Sequence, residues 1–270
     1  MAVITISRGS YSKGKEVAEK VADQLGYGCI SREVLLEASK RFSIPEVQLI
    51  RAIHDAPSIL DRFQHSKQAY ITYIRSALTQ QVKGDNVVYH GLAGHVLLKG
   101  VPHVLKVRIT ANLDDRIEAE MKRESMGENE ARALLLKDDQ ERRKWTKSLY
   151  GVDPWDSSLY DLVIRIYKLS VDDAVDAICR TTGRQQFKTT DASRHKMEDL
   201  AIACQAKAAL VEQFPDVAVT SEYGNVIIYT KTPDRLGHKL KDRVKALEEE
   251  IEGINNLEAH AGLPYPPNAV

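Results

Sequence analysis

The chain of 270 residues has no net charge and few cysteines. Lys and Arg number 38, as do Asp and Glu, so the sequence has no excess of positive charge for capturing nucleic acid or an anionic lipid surface. The three cysteines, Cys29, Cys179 and Cys204, are far apart and form no CxxC pair. This pattern argues against a disulfide framework or a cysteine-bound zinc site, and it suits a reducing compartment.

Long apolar runs are also missing. No segment approaches the roughly 20 apolar residues that a membrane-spanning helix requires. The first residues enter a strand-like run directly, without the charged and apolar regions of a signal peptide. His90, His95 and His103 do not have the spacing of a closed metal site. We therefore expect a cytoplasmic protein with no protein-bound metal cluster, and with neither nucleic acid nor a membrane as its partner.

One stretch near the N-terminus organises the sequence. An apolar run, Val3–Ile6, leads into a glycine-bounded loop and then into an amphipathic helix that reaches about Leu25. Gly9 and Gly14 are separated by four residues and followed by Lys15, which is the spacing of a phosphate-binding loop. Backbone N–H groups and the positive end of the helix attract phosphate there, and the lysine reaches the outer phosphates. The alternative interpretation is a basic surface turn.

Strands alternate with helices through residue 182, and several of these strands are apolar throughout. This pattern predicts a parallel sheet covered on both faces, with ligands at the carboxyl ends of its strands. After the first strand, further strands are expected at residues 27–30, 86–90, 104–109 and 162–166. The region between residues 32 and 83 is helical in pattern and too long for one crossover. We interpret it as a helical insert above the mouth of the first strand.

Composition changes after residue 182. Residues 183–195 are polar and aperiodic, so we expect a linker. Residues 196–260 then show the order α-β-β-α-β, with a hairpin turn at residues 223–225. The proline-rich residues 261–270 are expected to be extended.

Residues 1–182 resemble the cytidylate-kinase-like branch of the nucleoside monophosphate kinases. The resemblance is carried by short segments in a specific order and spacing: Ile4–Arg8, Lys15-Glu16, Ser31–Glu33, Val87-Val88 with Gly91, Leu113–Ile117, Asp139-x-x-Arg142, Tyr160–Ile164 and Leu169-Ser170. It implies an α/β fold with a five-stranded parallel P-loop kinase sheet, a helical insert that binds the nucleoside monophosphate, and a lid. It also implies Mg²⁺-dependent transfer of the γ-phosphoryl group of ATP to CMP or another pyrimidine monophosphate.

The resemblance also implies roles for individual residues. Lys15 is expected to hold the β- and γ-phosphates of ATP. Arg142 and Arg143 lie where the family's lid arginines lie, and would screen the transferring group with Asp139 orienting them. Without the resemblance, this charged segment reads equally well as a solvated, salt-bridged helix face.

The two nucleotides are expected to contact different residues. The expected ATP-binding residues are Gly9, Ser10, Tyr11, Ser12, Lys13, Gly14, Lys15 and Glu16. The expected contacts with the nucleoside monophosphate are Arg8, Arg32 and Gly91, although both arginines read equally well as surface residues.

Two departures from the family pattern favour a different function. Leu92 stands where close relatives carry an arginine, and its apolar side chain cannot make the bidentate contacts that arginine makes with phosphate. Tyr11 and Lys13 replace small residues of the loop. Lys13 could add phosphate affinity, whereas Tyr11 could block the loop. The alternative function is therefore a non-catalytic nucleotide sensor that signals through the C-terminal module.

Residues 196–260 resemble a BON domain, a small αββαβ module. The matching segments are Asp199–Ala201, Ala208–Leu210, Val217–Thr220 and Gly224–Val226. BON domains are associated with binding membranes or small ligands in cell envelopes, but membrane binding does not follow here. We expect an interaction module that carries no catalytic cluster. Its edge strands could form a homodimer by pairing with a second copy.

Overall fold

The computed structural model describes residues 2–9, 12–31, 33–46, 49, 64–91, 93–231 and 238–270. Its helices are α1 (Gly14–Leu25), α2 (Glu33–Phe42), α3 (Gln64–Val82), α4 (Gly94–Leu97), α5 (Leu113–Glu124), α6 (Glu128–Tyr150), α7 (Val171–Thr182), α8 (Asp191–Leu210) and α9 (His238–Glu250). Its strands are β1 (Val3–Arg8), β2 (Gly28–Ile30), β3 (Val87–Tyr89), β4 (Val104–Ala111), β5 (Leu162–Ile166), β6 (Ala218–Glu222), β7 (Asn225–Thr230) and β8 (Asn256–Ala261).

The chain divides into two compact units. The first contains the described residues of Met1–Glu33 and Asp85–Thr189. The second contains those of Val34–Ala52, Leu60–Gly84 and Thr190–Val270. None of the helices in the described ranges combines the length and the hydropathy needed to cross a lipid bilayer.

The first unit is built on a five-stranded sheet in the order β2-β3-β1-β4-β5. All of its strand pairs are parallel, with Ile4 of β1 opposite Val88 of β3 and Leu105 of β4. This arrangement confirms the predicted five-stranded parallel α/β sheet. Because β1 is central, its carboxyl end lies between the carboxyl ends of two neighbouring strands, where ligands bind in parallel sheets.

One face of this sheet forms an apolar core with α1 and α7. Ile4 and Ile6 of β1 are fully buried against Val17 and Val21 of α1. Apolar side chains from β3, β4, β5 and α7 complete the cluster. Burying one such side chain contributes roughly 1.5–3 kcal/mol, so this face holds the loop between β1 and α1 on a rigid base.

The second unit contains a three-stranded sheet in the order β6-β7-β8, with α8 and α9. Its elements follow the predicted α-β-β-α-β order. The hairpin between β6 and β7 turns at Tyr223 and Gly224, which both have positive φ, at 50° and 75°. A Cβ on Gly224 would collide with the carbonyl oxygen of Gly253, so this turn requires glycine. The resemblance to a BON domain stays a prediction.

The second unit also contains α2 and α3 of the helical insert. Ala69 and Tyr73 of α3 pack against Ala208 and Val211 of α8. Phe42 at the end of α2 stacks on Tyr73, with the ring centroids 4.3 Å apart. From its sequence the insert is expected within residues 1–182, because the apolar face of α3 does not reveal which helix covers it. The part of the insert within residues 50–63 lies outside the described residues.

The segment predicted as a linker is partly helical. Residues Gln185–Phe187 form a 3₁₀ turn, and α8 already begins at Asp191. A capping box starts α8: Thr190 Oγ1 accepts from Ser193 N at 3.2 Å, and Ser193 Oγ accepts from Thr190 N at 2.9 Å. Because capping depends on short polar residues, the same composition that suggested a linker marks a helix start.

The residues after β8 lie along the second unit rather than away from it. Val270 and Val219 exchange backbone hydrogen bonds of 2.9 and 3.4 Å beside β6, and the Tyr265 hydroxyl donates to the Asp216 carbonyl. Part of the outer edge of β6 is therefore already paired within the chain. The predicted homodimer through edge strands remains a prediction, and it would have to use another part of the sheet.

Candidate functional site

The loop between β1 and α1 folds back on itself. The backbone N–H and the hydroxyl of Ser12 both donate to the Gly9 carbonyl, at 3.4 and 3.0 Å. Lys13 lies in the left-handed region with φ 60°, and directly precedes α1. The loop therefore makes a tight turn that ends at the N-terminus of a helix, which is the geometry that attracts anions. Ser10 and Tyr11 lie outside the described residues.

Gly14 brings the end of β1 close to the start of α1. A Cβ added at Gly14 would lie 2.6 Å from the Cβ of Arg8 and 3.1 Å from its Cδ. Only glycine fits such a contact without displacement of the backbone. The stem of Arg8, which we predicted at the phosphate of the nucleoside monophosphate, therefore packs behind the first residue of α1.

Lys15 and Glu16 occupy the first turn of α1 and are exposed. The ammonium group of Lys15 lies 3.6 Å from Glu19, and Glu16 lies 3.7 Å from Lys20. Such exposed ion pairs contribute little stability, about 0–1 kcal/mol. Lys15 is thus held loosely, and a phosphate group can displace its partner at small cost.

A more buried ion pair lies beside the start of the loop. Arg116 of α5 and Asp139 of α6 are joined by two contacts, of 2.9 and 3.0 Å, and their side chains are 10% and 17% exposed. A Cβ on Gly9 would lie 4.0 Å from both Arg116 Cζ and Asp139 Oδ1. The pair therefore places a guanidinium group next to the glycine loop, which we define as residues 9–14.

The partner of Asp139 differs from the sequence-based expectation. Asp139 was expected to orient Arg142 and Arg143, but the structure pairs it with Arg116. Sequence reasoning did not select Arg116 as a site residue. The available signal was its place in Leu113–Ile117, a segment that supports the family resemblance.

Arg143 has its own acidic partner. Its Nε and Nη2 donate to the two carboxylate oxygens of Asp153 at 2.9 and 2.5 Å, and its guanidinium lies 4.2 Å from the ring centroid of Trp155. The Arg143 hydrogen bonds hold the pKa of Asp153 far below its ordinary range, and Lys147 lowers it further. Arg143 is therefore already paired with a carboxylate, and its catalytic role stays a prediction.

Arg142 remains the uncommitted arginine of this segment. Its side chain is half-buried on α6, and the described residues offer it no ion pair or side-chain hydrogen bond. It follows Asp139 by three residues, so the two side chains lie on neighbouring positions of one helix face. Because Asp139 faces Gly9, Arg142 lies within the same region of α6.

Gly91, one of the predicted contacts with the nucleoside monophosphate, is required for packing at the end of β3. A Cβ on Gly91 would collide with the buried hydroxyl of Tyr89, so this glycine is required for packing. Gly94 contacts the same ring, since its Cβ would lie 2.6 Å from Tyr89 Cδ1. Glycine at residue 91 is therefore no evidence for phosphate binding. Arg32 and Leu92 lie outside the described residues.

His90 lies at the end of β3 and was considered only as a metal ligand in the sequence analysis. It is buried, and its backbone N–H donates to the Ile30 carbonyl at 3.1 Å. Burial and the nearby charge of Arg8 lower its pKa, which favours a neutral imidazole. The described residues contain no group of three or more His, Cys, Asp or Glu side chains that could bind a metal ion.

A polar cluster lies on the sheet face opposite the apolar core. The Tyr160 hydroxyl donates to the Pro154 carbonyl at 3.0 Å and lies 3.3 Å from His95 Nε2 and 3.4 Å from Ser7 Oγ. Arg108 also donates to the Pro154 carbonyl, at 2.5 Å. Burial, and next to it the charge of Arg108, lowers the pKa of His95 to about 4. This cluster connects β1, just before the glycine loop, to the segment that precedes β5.

Comparisons with known proteins show the family of this chain. The profile of the cytidylate kinase-like family matches residues 3–168. A cytidylate kinase of Pyrococcus horikoshii is 30% identical over 173 residues, which cover 62% of this chain and 81% of that protein. A cytidylate kinase of Methanopyrus kandleri is 36% identical over 98 residues, which cover 34% of this chain and 51% of that protein. The chain thus spans about half the length of that second relative.

One solved structure has a similar fold. An uncharacterized protein from Eubacterium ventriosum aligns over 68% of this chain and 100% of its own, with a TM-score of 0.52 and 23% identity. The matched family region contains the five-stranded sheet, the glycine loop and the Arg116–Asp139 pair. Because the family profile covers more than half of its residues, the chain belongs to the cytidylate kinase-like family.

Proposed function

We propose that this protein transfers the γ-phosphoryl group of ATP to a nucleoside monophosphate. The observation that carries the proposal is the tight loop between β1 and α1, followed by exposed Lys15 and flanked by the guanidinium of Arg116. Phosphoryl transfer requires positioning and charge neutralisation more than a covalent group or a strong base. A helix N-terminus, a lysine and an arginine around one loop supply this neutralisation.

Individual residues then have the following roles. Backbone N–H groups of the glycine loop and the start of α1 bind the phosphates of ATP, and Lys15 binds the β- and γ-phosphates. Arg116 lies beside Gly9 and screens the charge of the transferring group, with Asp139 as its positioning residue. Arg142 supplies a second cation from the same region of α6.

Mg²⁺ fits the oxygen donors of this site. Mg²⁺ is bound mainly by the phosphates of ATP and takes only one or two carboxylates from a protein. Glu16 is an exposed carboxylate in the first turn of α1, whereas Asp139 is already paired with Arg116. Glu16 would therefore be the protein ligand. When bound with ATP, Mg²⁺ neutralises charge on the β- and γ-phosphate oxygens.

The acceptor that we propose is CMP or another pyrimidine monophosphate. Two relatives are named cytidylate kinase, and one of them is 30% identical over most of its length. The carboxyl end of β3 is the expected location of the acceptor, with His90 and Arg8 nearby and Arg32 as a further contact predicted from the sequence. Gly91 keeps the backbone there close to Tyr89.

A second candidate function is a non-catalytic nucleotide sensor. The packing of α3 on α8 favours it, because the helical insert and the C-terminal module form one compact unit. A nucleotide that binds against the insert would then act directly on the BON-like module. Leu92 in place of arginine would reduce turnover without preventing nucleotide binding at the glycine loop.

The test is release of ADP from Mg-ATP with CMP, UMP, dCMP, AMP or GMP as the acceptor. The Lys15→Ala variant should lower acceptor-dependent release by about 10- to 100-fold, since it removes charge-assisted contacts with the phosphates. Lys122→Ala is the matched control: it removes an exposed lysine that forms the same kind of i,i+4 ion pair, with Glu118, and should keep the wild-type rate.

Failure of every acceptor to stimulate ADP release would exclude the kinase. Calorimetry on the same protein then decides about the second candidate. Nucleotide binding that is lost in Lys15→Ala would support the sensor, and absence of any binding would reject both functions.

A further inference from the structure

Strand β5 is an edge of the parallel sheet in the first unit, and its outer side is uncovered. It pairs with β4 on one side, and no other strand in the described part of the chain pairs with it. Val163 lies in this strand and Tyr167 and Leu169 follow it, and these side chains are 49%, 60% and 48% exposed. An exposed strand edge with apolar side chains is a surface to which another strand can add.

The backbone groups of β5 that face away from β4 follow from two hydrogen bonds. Gly9 N donates to the Ile109 carbonyl, so the backbone groups of this β4 residue face β1, and those of the next residue, Thr110, face β5. The Thr110 hydroxyl accordingly donates to the Ile164 carbonyl at 3.4 Å. Because the backbone groups of successive residues alternate in direction, those of Val163 and Arg165 point outward, where a partner strand can bond to them.

Two opposite charges flank Val163. Asp161 precedes it by two residues and Arg165 follows it by two, and residues at this spacing lie on the same face of a strand. Asp161 Oδ2 accepts from the Lys106 N–H at 2.8 Å, and Arg165 Nη2 donates to Asn112 Oδ1 at 2.9 Å. Neither charge has an ion-pair partner among the described residues, so one carboxylate oxygen and most of the guanidinium remain available.

An antiparallel pairing of two copies about a two-fold axis at Val163 matches these charges. It places Val163 opposite Val163 of the second copy, and it places each Asp161 opposite the Arg165 of the other copy. An axis shifted by one residue, to Ile164, would place Arg165 opposite Val163 and leave both charges unmatched. The charge pattern of this edge is therefore complementary to itself, which makes a second copy the fitting partner.

We propose that β5 is a dimerisation edge, at which two copies of this chain join their parallel sheets by antiparallel β5–β5 pairing centred on Val163. Tyr167 and Leu169 add apolar contact at the ends of the paired segment. Five paired residues a side are few beside the roughly 20–30 of a standard interface, so the dimer is weak, with a Kd of the order of 10 µM. This dimer does not depend on the proposed kinase function, and it differs from the dimer predicted through the C-terminal sheet.

Sedimentation velocity of the full chain between about 1 and 200 µM measures the dimer. Asp161→Lys and Arg165→Glu should each raise the Kd about tenfold or more, because each places like charges opposite one another. An equimolar mixture of these two variants should dimerise again, since one carries two positive and the other two negative charges along β5. Lys122→Glu is the matched control, since it reverses an exposed charge of α5 outside this edge, and it should keep the wild-type Kd.

Val163→Lys tests the centre of the interface while both flanking charges remain. It should also raise the Kd about tenfold or more, because two ammonium groups would meet at the two-fold axis. Circular dichroism and urea unfolding of every variant confirm that a lost dimer is not a lost fold.

Three results would overturn the proposal or its register. A wild-type chain that stays monomeric at about 200 µM would exclude the dimer. A dimer with the same Kd in wild type, both charge variants and Val163→Lys would be held by another surface, such as the C-terminal sheet. If the two charge variants are monomeric and their mixture is too, the register about Val163 is wrong. If the dimer forms as expected but no acceptor supports ADP release, only the kinase proposal fails.

Discussion

Protonation of His95 should control the acid stability of the first unit. The His95 side chain is 5% exposed, beside the Tyr160 hydroxyl and close to Arg108. Burial and this positive charge disfavour the imidazolium, so the pKa of His95 falls from 6.5 to about 4. The perturbation is a lower pH, applied to wild type and to His95→Gln. Glutamine does not titrate but can still hydrogen-bond to Tyr160.

The sign and size of the expected change in the free energy of unfolding follow from proton linkage. The folded pKa lies below the unfolded value, so the unfolded chain takes up the proton first as the pH falls. The stability contribution is therefore complete above pH 6.5 and is lost between pH 6.5 and about 4. The difference of 6.5 − 4 pKa units, at about 1.4 kcal/mol per unit, gives a total loss of about 3–4 kcal/mol. At pH 4.5 about 2–3 kcal/mol of this should already be lost.

Tryptophan fluorescence in urea measures this loss in the relevant unit. The chain has two tryptophans, Trp145 and Trp155, and both lie in the first unit with His95. Unfolding free energies between pH 4.5 and 7.5 are compared for the two proteins, since all other titrating groups cancel in the difference. Wild type should lose about 2–3 kcal/mol more than His95→Gln at the lower pH. Parallel pH dependences would refute the reasoning, because they would mean that folded His95 titrates at its ordinary pKa.

Two further predictions concern the glycine loop. Gly14→Ala should lower the ATP affinity measured by calorimetry and should lower the free energy of unfolding by about 1–3 kcal/mol, because the added methyl group displaces the backbone. Gly84→Ala is the control and should change neither quantity, since the space around Gly84 is open. An unaffected Gly14→Ala variant would contradict the close contact between residue 14 and Arg8. Arg116→Met should lower the rate of ADP release about 10- to 100-fold, since it removes a charge beside the loop and leaves Asp139 unpaired. Arg132→Met removes an exposed arginine and should keep the rate; equal rates for both variants would assign the buried pair to stability alone.

Local signals identified the elements that surround the site. The β-branched run before Gly9, the glycine spacing and the apolar periodicity to Leu25 predicted β1, the loop and α1. The turn at Tyr223 and Gly224 was predicted in the same way, because a two-residue hairpin needs residues that accept positive φ. These features depend on neighbours within a few residues, so they can be read from the sequence directly.

Contacts between distant residues left no such signal. Arg116 and Asp139 are separated by 23 positions, and the charged segment around Asp139 offered several other partners. The pairing of Arg143 with Asp153 was not predicted, because nothing in the helix of Arg143 shows that Asp153 lies beyond the helix end. The same limit applies to α3, whose apolar face packs on a helix that comes more than a hundred residues later.

The packing of α3 on α8 has a consequence for synthesis on the ribosome. Tyr73 and Ala208 are about 135 residues apart, and translation proceeds at roughly 5–20 residues per second. The apolar face of α3 therefore stays uncovered for roughly 7 to 27 s after it leaves the ribosome, until α8 has been synthesised. During that interval the sheet of the first unit can form, but the insert lacks its partner. If the insert binds the acceptor as proposed, a nascent chain would become competent to bind it only after the C-terminal module has been made.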